Sequence, residues 1–198
     1  MKVFTNTTSP YARIARIALI ETGDTEPNTE FVDPMKDEPE LLKVNSAARV
    51  PALVTDNGTA LTESLLMVLW LEKTRGGKSL MDGDLETVVA QAGVAMGVID
   101  AAVHIIVGRA ILAGAFDESR LGLRRRRSIL AGLRKLEAQP PAYTGDRPNL
   151  AVIATVVASE YADFRFSSGG WLESFPKLAE LGRATAERFS FSSTRPYL

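Results

Sequence analysis

Thr7-Thr8-Ser9-Pro10-Tyr11 is the stretch around which the rest of the chain can be placed. Before it, Lys2-Val3-Phe4-Thr5 has the apolar centre of a short strand, and after it a helical pattern begins at Ala12. Pro10 suits the first turn of a helix, because its φ is fixed near the helical value and it needs no backbone partner there. Ser9 then falls at the N-cap, where its hydroxyl would bond a free N–H group. A hydroxyl and several N–H groups therefore converge at a helix end that attracts anions.

Two interpretations fit Ser9: it holds a bound thiolate or carboxylate, or it only caps the helix. Two later segments favour the first. In Arg49-Val50-Pro51-Ala52-Leu53 an apolar residue precedes a proline that enters an apolar strand. This pattern allows a cis peptide whose preceding residue exposes its backbone to an extended ligand. In Thr62-Glu63-Ser64-Leu65 a second helix opens with a cap, free N–H groups and a carboxylate beside them.

In this order, the three segments resemble the N-terminal domain of the cytosolic glutathione transferases, of the bacterial type with serine at the thiolate position. The resemblance implies that Ser9 stabilises the glutathione thiolate. It implies that Val50, with the cis residue Pro51, pairs through its backbone with the cysteinyl unit. Glu63 and Ser64 are then expected to bind the γ-glutamyl end. Glutathione is the co-substrate, and no metal is expected.

The loop before the second segment departs from the family pattern. Asn45-Ser46-Ala47-Ala48 stands where relatives commonly have Asn-Pro-x-Gly, which leaves the contacts to the glycyl end of glutathione open. Arg49 is the candidate to pair with the glycyl carboxylate, or it is a solvated charge. Thr8 and Tyr11 lie close enough in the family to take the place of Ser9 at the sulfur.

Charge and composition exclude several kinds of protein. The 198 residues include 23 basic and 24 acidic ones, and this net charge of −1 gives no global attraction to nucleic acid or to an anionic membrane. The absence of cysteine rules out disulfides and thiolate metal sites, and one histidine cannot form a multi-histidine site within one chain. Neither a signal peptide nor a membrane span is recognised, so a cytoplasmic protein is expected.

The remaining pattern predicts two domains. Residues 1–74 follow the order β-α-β-α-β-β-α of a thioredoxin-like α/β domain, with a strand at residues 30–33 and an Asn-Gly hairpin turn at residues 56–58. Residues 75–83, which contain a glycine pair between charges, are the predicted linker. Residues 84–198 read as an all-α domain.

Helical spacing also predicts which side chains are buried. In the first helix, Arg13 and Arg16 are expected on the side away from the apolar residues. The helix after Glu63 is expected to bury four residues, and the helix from about Asp84 to Leu112 is expected to bury six. They are Leu66, Val68, Leu69 and Trp70 in the former, and Val88, Ala92, Met96, Ile99, Val103 and Ile106 in the latter.

Three further features of the helical region each allow more than one interpretation. A stripe of small residues through Gly93 and Gly97 either admits another helix or forms a wall of a substrate pocket. His104 follows Asp100 by one turn, which suits a hydrogen-bonded pair, a pocket wall or a catalytic role. The run of arginines at residues 124–127 fans around a helix, because consecutive residues are roughly 100° apart, so it is assigned to solvent rather than to an anionic partner.

The resemblance covers nearly the whole chain and implies a detoxifying transferase that conjugates glutathione to small hydrophobic electrophiles, as a homodimer, with no nucleic acid or membrane partner. Its electrophile pocket would be lined by Tyr11, Met96, Val103 and His104. Two alternatives stay open. One is a glutathione-fold binding or interaction protein with little catalysis, suggested by the altered loop and by Val152 in place of a family aspartate. The other is a glutathione-dependent isomerase or dehalogenase.

Overall fold

The computed structural model describes residues 1–76, 79–166 and 171–198, with only the backbone at residues 171–172. The chain divides into two compact units. The first contains Met1–Leu80 together with Glu187–Leu198, and the second contains Met81–Ala186. Gly77 and Lys78 of the predicted linker lie outside the described residues.

The first unit has the predicted thioredoxin-like order. Its elements are β1 (Lys2–Thr5), α1 (Pro10–Glu21), β2 (Asn28–Phe31), α2 (Pro39–Val44), β3 (Ala52–Val54), β4 (Ala60–Thr62), α3 (Ser64–Thr74) and, from the later segment, α9 (Phe189–Ser192). In the described residues the strands form a four-stranded sheet in the order β2-β1-β3-β4, with β1 and β2 parallel and the other pairs antiparallel. β2 begins two residues before the predicted strand, because Asn28 is already paired with Lys2.

Helix α3 buries a different face from the one predicted. Val68 is buried as expected, together with Met67 and Leu71, but Leu66 and Leu69 are exposed. Trp70 is half-buried. The helix is apolar on nearly every side, so the sequence pattern offers no polar face from which the buried face could be inferred.

The side of α1 that carries Arg13 and Arg16 is covered by residues 187–198, so these arginines are not open to water as polar helix faces usually are. Arg13 is only 4% exposed. Its guanidinium donates to the Phe191 carbonyl and the Thr194 hydroxyl, both at 3.5 Å. Arg16 is half-buried, and burial lowers its pKa from the ordinary value. Residues 187–198, which the sequence assigns to the helical domain of residues 84–198, thus belong to the first unit.

The second unit is helical. Its elements are α4 (Leu85–Leu112), α5 (Ala115–Glu118), α6 (Arg120–Ala138), α7 (Leu150–Arg165), a 3-10 turn (Trp171–Ser174) and α8 (Pro176–Thr185). α4 packs against α6 and α7. By length and composition α4 could also cross a membrane, but the central helix of a helical domain has the same character. Asp84 caps α4 by accepting from the Thr87 N–H group.

The core of α4 only partly follows the prediction. Val88, Ala92 and Ile99 are buried, whereas Met96, Val103 and Ile106 are half-buried. The buried face is instead completed by other residues, because α4 contacts two helices and therefore buries a broader arc than one stripe. These residues are Ala95, Val98, Ala101, Ala102, Ile105 and Gly108.

Asn149 caps α7, as its position predicts, and also ties that helix to the start of the unit. Its side-chain oxygen accepts from the Val152 N–H group at 3.0 Å, and its side-chain nitrogen donates to the Asp82 carbonyl at 2.8 Å. Val152 itself is buried. A buried apolar side chain therefore stands where the resemblance leads one to expect an aspartate.

Candidate functional site

The three segments singled out in the sequence leave the sheet at one edge. Phe4 of β1 pairs with Ala52 of β3, and Ala52 pairs with Thr62 of β4. The segment after β1, the segment before β3 and the segment after β4 therefore start side by side. Because paired strands lie about 4.8 Å apart, these starting points fall within about 10 Å. The fold thus brings the segments of Ser9, Val50 and Glu63 together.

Ser9 lies at the N-cap of α1, where its hydroxyl oxygen accepts from the Ala12 N–H group at 3.2 Å. Asn6, which the sequence reasoning missed, holds this loop: its side-chain oxygen accepts from the N–H groups of Ser9 at 2.7 Å and Thr8 at 3.3 Å. An asparagine two or three residues before a cap is a signal of such a turn. Since a hydroxyl can accept and donate at once, Ser9 keeps its proton for a bound acceptor.

Val50 presents its backbone at the start of β3. The Val50-Pro51 peptide is cis, as predicted. The Val50 side chain packs in the core with Phe4 and Ala12. In the part of the chain that the structure describes, no backbone hydrogen bond involves the N–H or C=O group of Val50. These two groups could pair with an extended ligand as a neighbouring strand would.

The start of α3 has the features of an anion site. Glu63, which precedes the helix, has a φ of 64°, a left-handed conformation that is costly for a residue other than glycine. The Glu63 side chain makes no capping hydrogen bond to the helix. Ser64 is 3% exposed, and its hydroxyl makes no hydrogen bond with the described residues. Free N–H groups, a hydroxyl and a neighbouring carboxylate can together bind both ends of an amino-acid zwitterion.

Arg49 lies beside Glu63. Its Nη2 atom donates to the Glu63 Oε1 atom at 2.6 Å, and both side chains are mostly exposed. The Asn45 side chain donates to the Arg49 carbonyl at 2.7 Å, and Ala48 takes a φ of 50° where the family pattern has glycine. Arg49 is therefore positioned by the α3 end of the site, and its pairing with a glycyl carboxylate stays a prediction.

A shallow cavity of about 290 Å³ adjoins the same edge of the sheet, at the ends of β1 and β2. It is lined by Asn6, Thr7, Phe31, Val32 and Asp33. The Met35 N–H group, and then Lys36, hold the pKa of the Asp33 carboxyl below its usual value. The cavity has the dimensions for a few residues of an extended peptide beside the Ser9 loop.

The candidates for the electrophile pocket lie in different units. Tyr11 belongs to the first unit, and Met96, Val103 and His104 belong to α4 in the second. Met96 and Val103 are seven residues apart and share one side of α4. His104 is exposed, and its Nδ1 atom lies 2.6 Å from the backbone carbonyl oxygen of Asp100. The expected contact with Asp100 is therefore made through the backbone, and neither side chain is buried.

Comparison with known proteins gives a consistent result. Residues 8–74 match the family model of the glutathione S-transferase N-terminal domain. The uncharacterized GST-like protein YibF of Escherichia coli K12 is 30% identical to this chain. The alignment covers 99% of this chain and 98% of YibF. A glutathione transferase family member from Pseudomonas fluorescens Pf-5, crystallised with bound glutathione, is 27% identical. The two structures superpose with a TM-score of 0.88 over 100% of this chain and 99% of the Pseudomonas chain.

A glutathione S-transferase from Methylobacterium radiotolerans, in complex with glutathione sulfonate, is also 27% identical. Its TM-score is 0.88 over 100% of this chain and 95% of its own. These similarities extend through both units, so they concern the helical region as well as the sheet.

Proposed function

The chain belongs to the glutathione S-transferase family, and from this we propose that it binds glutathione along the sheet edge and transfers its thiolate to a small hydrophobic electrophile. The observation that carries the proposal is the start of α3. There an uncapped helix end, the unpaired Ser64 hydroxyl and the strained Glu63 lie beside the free backbone groups of Val50. The two relatives with glutathione or glutathione sulfonate bound support the same ligand for this site.

Each part of glutathione has a chemical counterpart in the proposed site. The γ-glutamyl carboxylate would accept from the first N–H groups of α3 and from Ser64, and its ammonium would lie against the Glu63 carboxylate. The cysteinyl unit would pair with the backbone of Val50, which places its sulfur toward Ser9. Arg49, which lies beside Glu63, is the proposed partner of the glycyl carboxylate.

Ser9 is the proposed catalytic residue. A free thiol has a pKa of about 8.5 and is mostly protonated at neutral pH. A hydrogen bond from Ser9 to the thiolate is worth about 1.5 to 3 kcal/mol, and the α1 end adds about 0.3 to 1 kcal/mol. At about 1.4 kcal/mol per unit, these interactions together lower the thiol pKa by about one to three units.

The reaction itself needs no nucleophile from the protein. The thiolate sulfur supplies the electron pair of a new C–S bond to the electrophilic carbon. A leaving group departs with its bonding pair, or, in an addition, the neighbouring atom takes up a proton. Tyr11, Met96, Val103 and His104 are the proposed contacts of the electrophile, and detoxification of such compounds in the glutathione-rich cytoplasm is the proposed role.

The chain is proposed to act as a homodimer. Leu65, Leu66 and Leu69 form an exposed apolar face on α3. On α4, the place where a Cβ of Gly93 or Gly97 would stand has no atom of another described element within 4 Å. An apolar face and a smooth helix surface suit close packing against a second copy. Leu66→Ser and Gly97→Leu should each shift sedimentation equilibrium from dimer to monomer, whereas Leu42→Ser, another exposed leucine, should not.

Calorimetric titration with glutathione tests the site. We expect binding by the wild type and its loss in Glu63→Ala, Ser64→Ala, while Glu72→Ala, a carboxylate at the other end of α3, keeps it. Turnover with an activated aryl chloride would then support the transferase. Binding without turnover across several classes of electrophile would favour the glutathione-fold interaction protein, and no binding by the wild type would refute the proposed site.

A further inference from the structure

The outer face of α6 carries a row of basic side chains. These are Arg120, Arg124, Arg127, Arg134 and Lys135, and all five are exposed. At 100° per residue they fall on one arc of about 100°, opposite the buried residues of the helix, and they extend over about 22 Å. The prediction that the arginines at 124–127 fan around the helix holds for the run itself. Arg124 and Arg127 nevertheless join cations from other turns, so α6 does carry a basic stripe.

This stripe is a local concentration of positive charge that the net charge of the whole chain does not reveal. Residues 81–186 contain 12 basic and 12 acidic residues, yet α6 alone holds seven basic residues and one acidic residue. That acidic residue, Glu137, accepts from the N–H groups of Lys177 at 3.1 Å and Leu178 at 3.0 Å, and so it caps α8. Within residues 1–76, 79–166 and 171–198, none of the five stripe cations forms an ion pair.

Carboxylates beside the stripe belong to α5. Asp117 forms a two-point ion pair with Arg109, with its Oδ2 atom 2.7 Å from Nη2, and Arg126 lies near enough to lower its pKa further. Glu118 is exposed at the start of α6. On α5 and α6, the exposed carboxylate of Glu118 thus stands against the five exposed cations of the stripe, since Asp117 is paired with Arg109 and Glu137 caps α8.

An apolar tip adjoins the Arg120 end of the stripe. Residues 110–115, with the sequence Ala-Ile-Leu-Ala-Gly-Ala, are all exposed. Ile111 is 72% exposed and Leu112 is 55% exposed. Leu121 and Leu123, in the first turn of α6, are exposed as well. A run of large apolar side chains open to water beside a cationic surface is the kind of patch that marks an interaction site.

The helices next to the tip pack closely against α6. Phe116 of α5 is buried, and its ring lies so close to Gly108 that a Cβ there would come within 2.4 Å of it. On the other side, a Cβ on Gly122 would come within 2.1 Å of the Phe116 carbonyl oxygen. The two glycines let α4, α5 and α6 meet closely, which places the apolar tip beside the Arg120 end of the basic stripe.

We propose that the apolar tip and the basic stripe together form a docking surface for an anionic phospholipid membrane. Arginine guanidinium groups bind phosphate oxygens, and exposed isoleucine and leucine side chains enter the boundary between headgroups and acyl chains. Nucleic acid or an acidic protein would match the arginines but would leave Ile111 and Leu112 in water. The net charge of the chain, which gives no expectation of a membrane partner, does not show that basic side chains are concentrated on one face of α6.

The test measures partitioning onto phospholipid vesicles by flotation. The vesicles contain phosphatidylcholine alone or phosphatidylcholine with about a third of phosphatidylserine, at low and at physiological salt. The full chain is compared with Arg120→Gln, Arg124→Gln, Arg127→Gln, which removes charge, and with Ile111→Ser, Leu112→Ser, which removes the apolar contacts. The matched control is Lys36→Gln, Lys43→Gln, Arg183→Gln, which loses three exposed cations outside α6.

We expect the wild type and the control to float only with the anionic vesicles, and less so at higher salt. At about a fivefold change per basic residue, the arginine variant should partition about 100-fold more weakly. The Ile111→Ser, Leu112→Ser variant should lose about tenfold or more, since it removes buried methylene groups. All three variants alter exposed side chains and should keep the far-ultraviolet circular dichroism of the wild type.

Three outcomes would overturn the proposal. The first is no binding of the wild type to anionic vesicles at low salt. The second is equal loss in the control and the arginine variant, which would indicate unspecific charge attraction. The third is tighter binding to a labelled duplex DNA than to the vesicles, reduced by the arginine variant but unchanged by Ile111→Ser, Leu112→Ser, which would assign the surface to nucleic acid.

Discussion

The Arg49 guanidinium and the Glu63 carboxylate, 2.6 Å apart, join the start of β3 to the start of α3. The pair spans the two segments that the proposed ligand would bridge. The pair therefore places one positive and one negative charge at the proposed site, on side chains that stay mostly exposed.

Arg49→Gln should weaken glutathione binding about two- to fivefold, because it removes a cation beside the proposed site of a net-negative ligand. The free energy of unfolding should change by less than about 0.5 kcal/mol, since exposed ion pairs contribute little. Titration calorimetry and urea denaturation measure the two quantities, with Arg49→Lys as the charge-preserving control. Unchanged affinity in Arg49→Gln would remove Arg49 from the binding site.

Ser9→Ala should have two separate effects. The loss of the cap should lower the free energy of unfolding by about 0.5 to 2 kcal/mol. The loss of the donor should raise the pKa of bound glutathione by about one unit or more, which ultraviolet absorbance of the thiolate across pH detects. Ser9→Thr keeps the hydroxyl and serves as control. A stability change with no shift in thiol pKa would leave Ser9 as a cap only.

Ala48→Gly should stabilise the protein by about 1 kcal/mol, because Ala48 has a φ of 50° that costs an L-residue roughly this amount. Ala47→Gly, next to it, is the control: its φ is not positive, so the glycine there only adds freedom to the unfolded chain. Urea denaturation of both variants separates the effects. Equal changes in the two would contradict the assigned backbone strain.

Asp117→Asn should reduce stability in a pH-dependent way. Arg109 holds the pKa of the Asp117 carboxyl below its usual value, chiefly through their hydrogen bonds. The pair therefore contributes stability above the unfolded-state pKa of about 3.9, and this contribution is lost as pH falls through the folded-state pKa. Between wild type and variant we expect a difference of about 0.5 to 1 kcal/mol at pH 7 that vanishes in acid.

Urea unfolding at several pH values checks this expectation, and Arg109→Gln should reproduce the profile of Asp117→Asn. A difference that is constant from neutral pH into acid would mean that Asp117 acts through something other than its charge.

Gly108→Ala should destabilise the second unit by about 1 to 3 kcal/mol, since the added methyl group would overlap the ring of buried Phe116. Gly182→Ala is the matched change in α8, where the nearest atom to the new Cβ lies at 3.8 Å. There the helix should gain about 0.5 to 1 kcal/mol. Thermal unfolding measures both, and a neutral Gly108→Ala would contradict the close approach of α4 and α5.

Features that depend on neighbouring residues could be predicted from the sequence. Ser9 and Asn149 are recognisable as caps, because a cap and the N–H group it accepts from are three residues apart. The Arg49–Glu63 pair could not be seen, because it joins residues 14 apart through the pairing of β3 with β4. The exposed face of α3 was equally hidden, since a helix that is apolar all round does not indicate which side is buried.

The return of residues 187–198 to the first unit has a consequence for the order of synthesis. Arg188 pairs with Glu21, and Arg13 bonds Phe191, so the side of α1 away from the sheet is covered by residues that the ribosome makes after the whole second unit. Domains usually fold in the order in which they emerge. Here the first unit cannot be completed until residues 187–198 are synthesised, and until then one side of α1 is uncovered. The helical unit is therefore the first that can be completed.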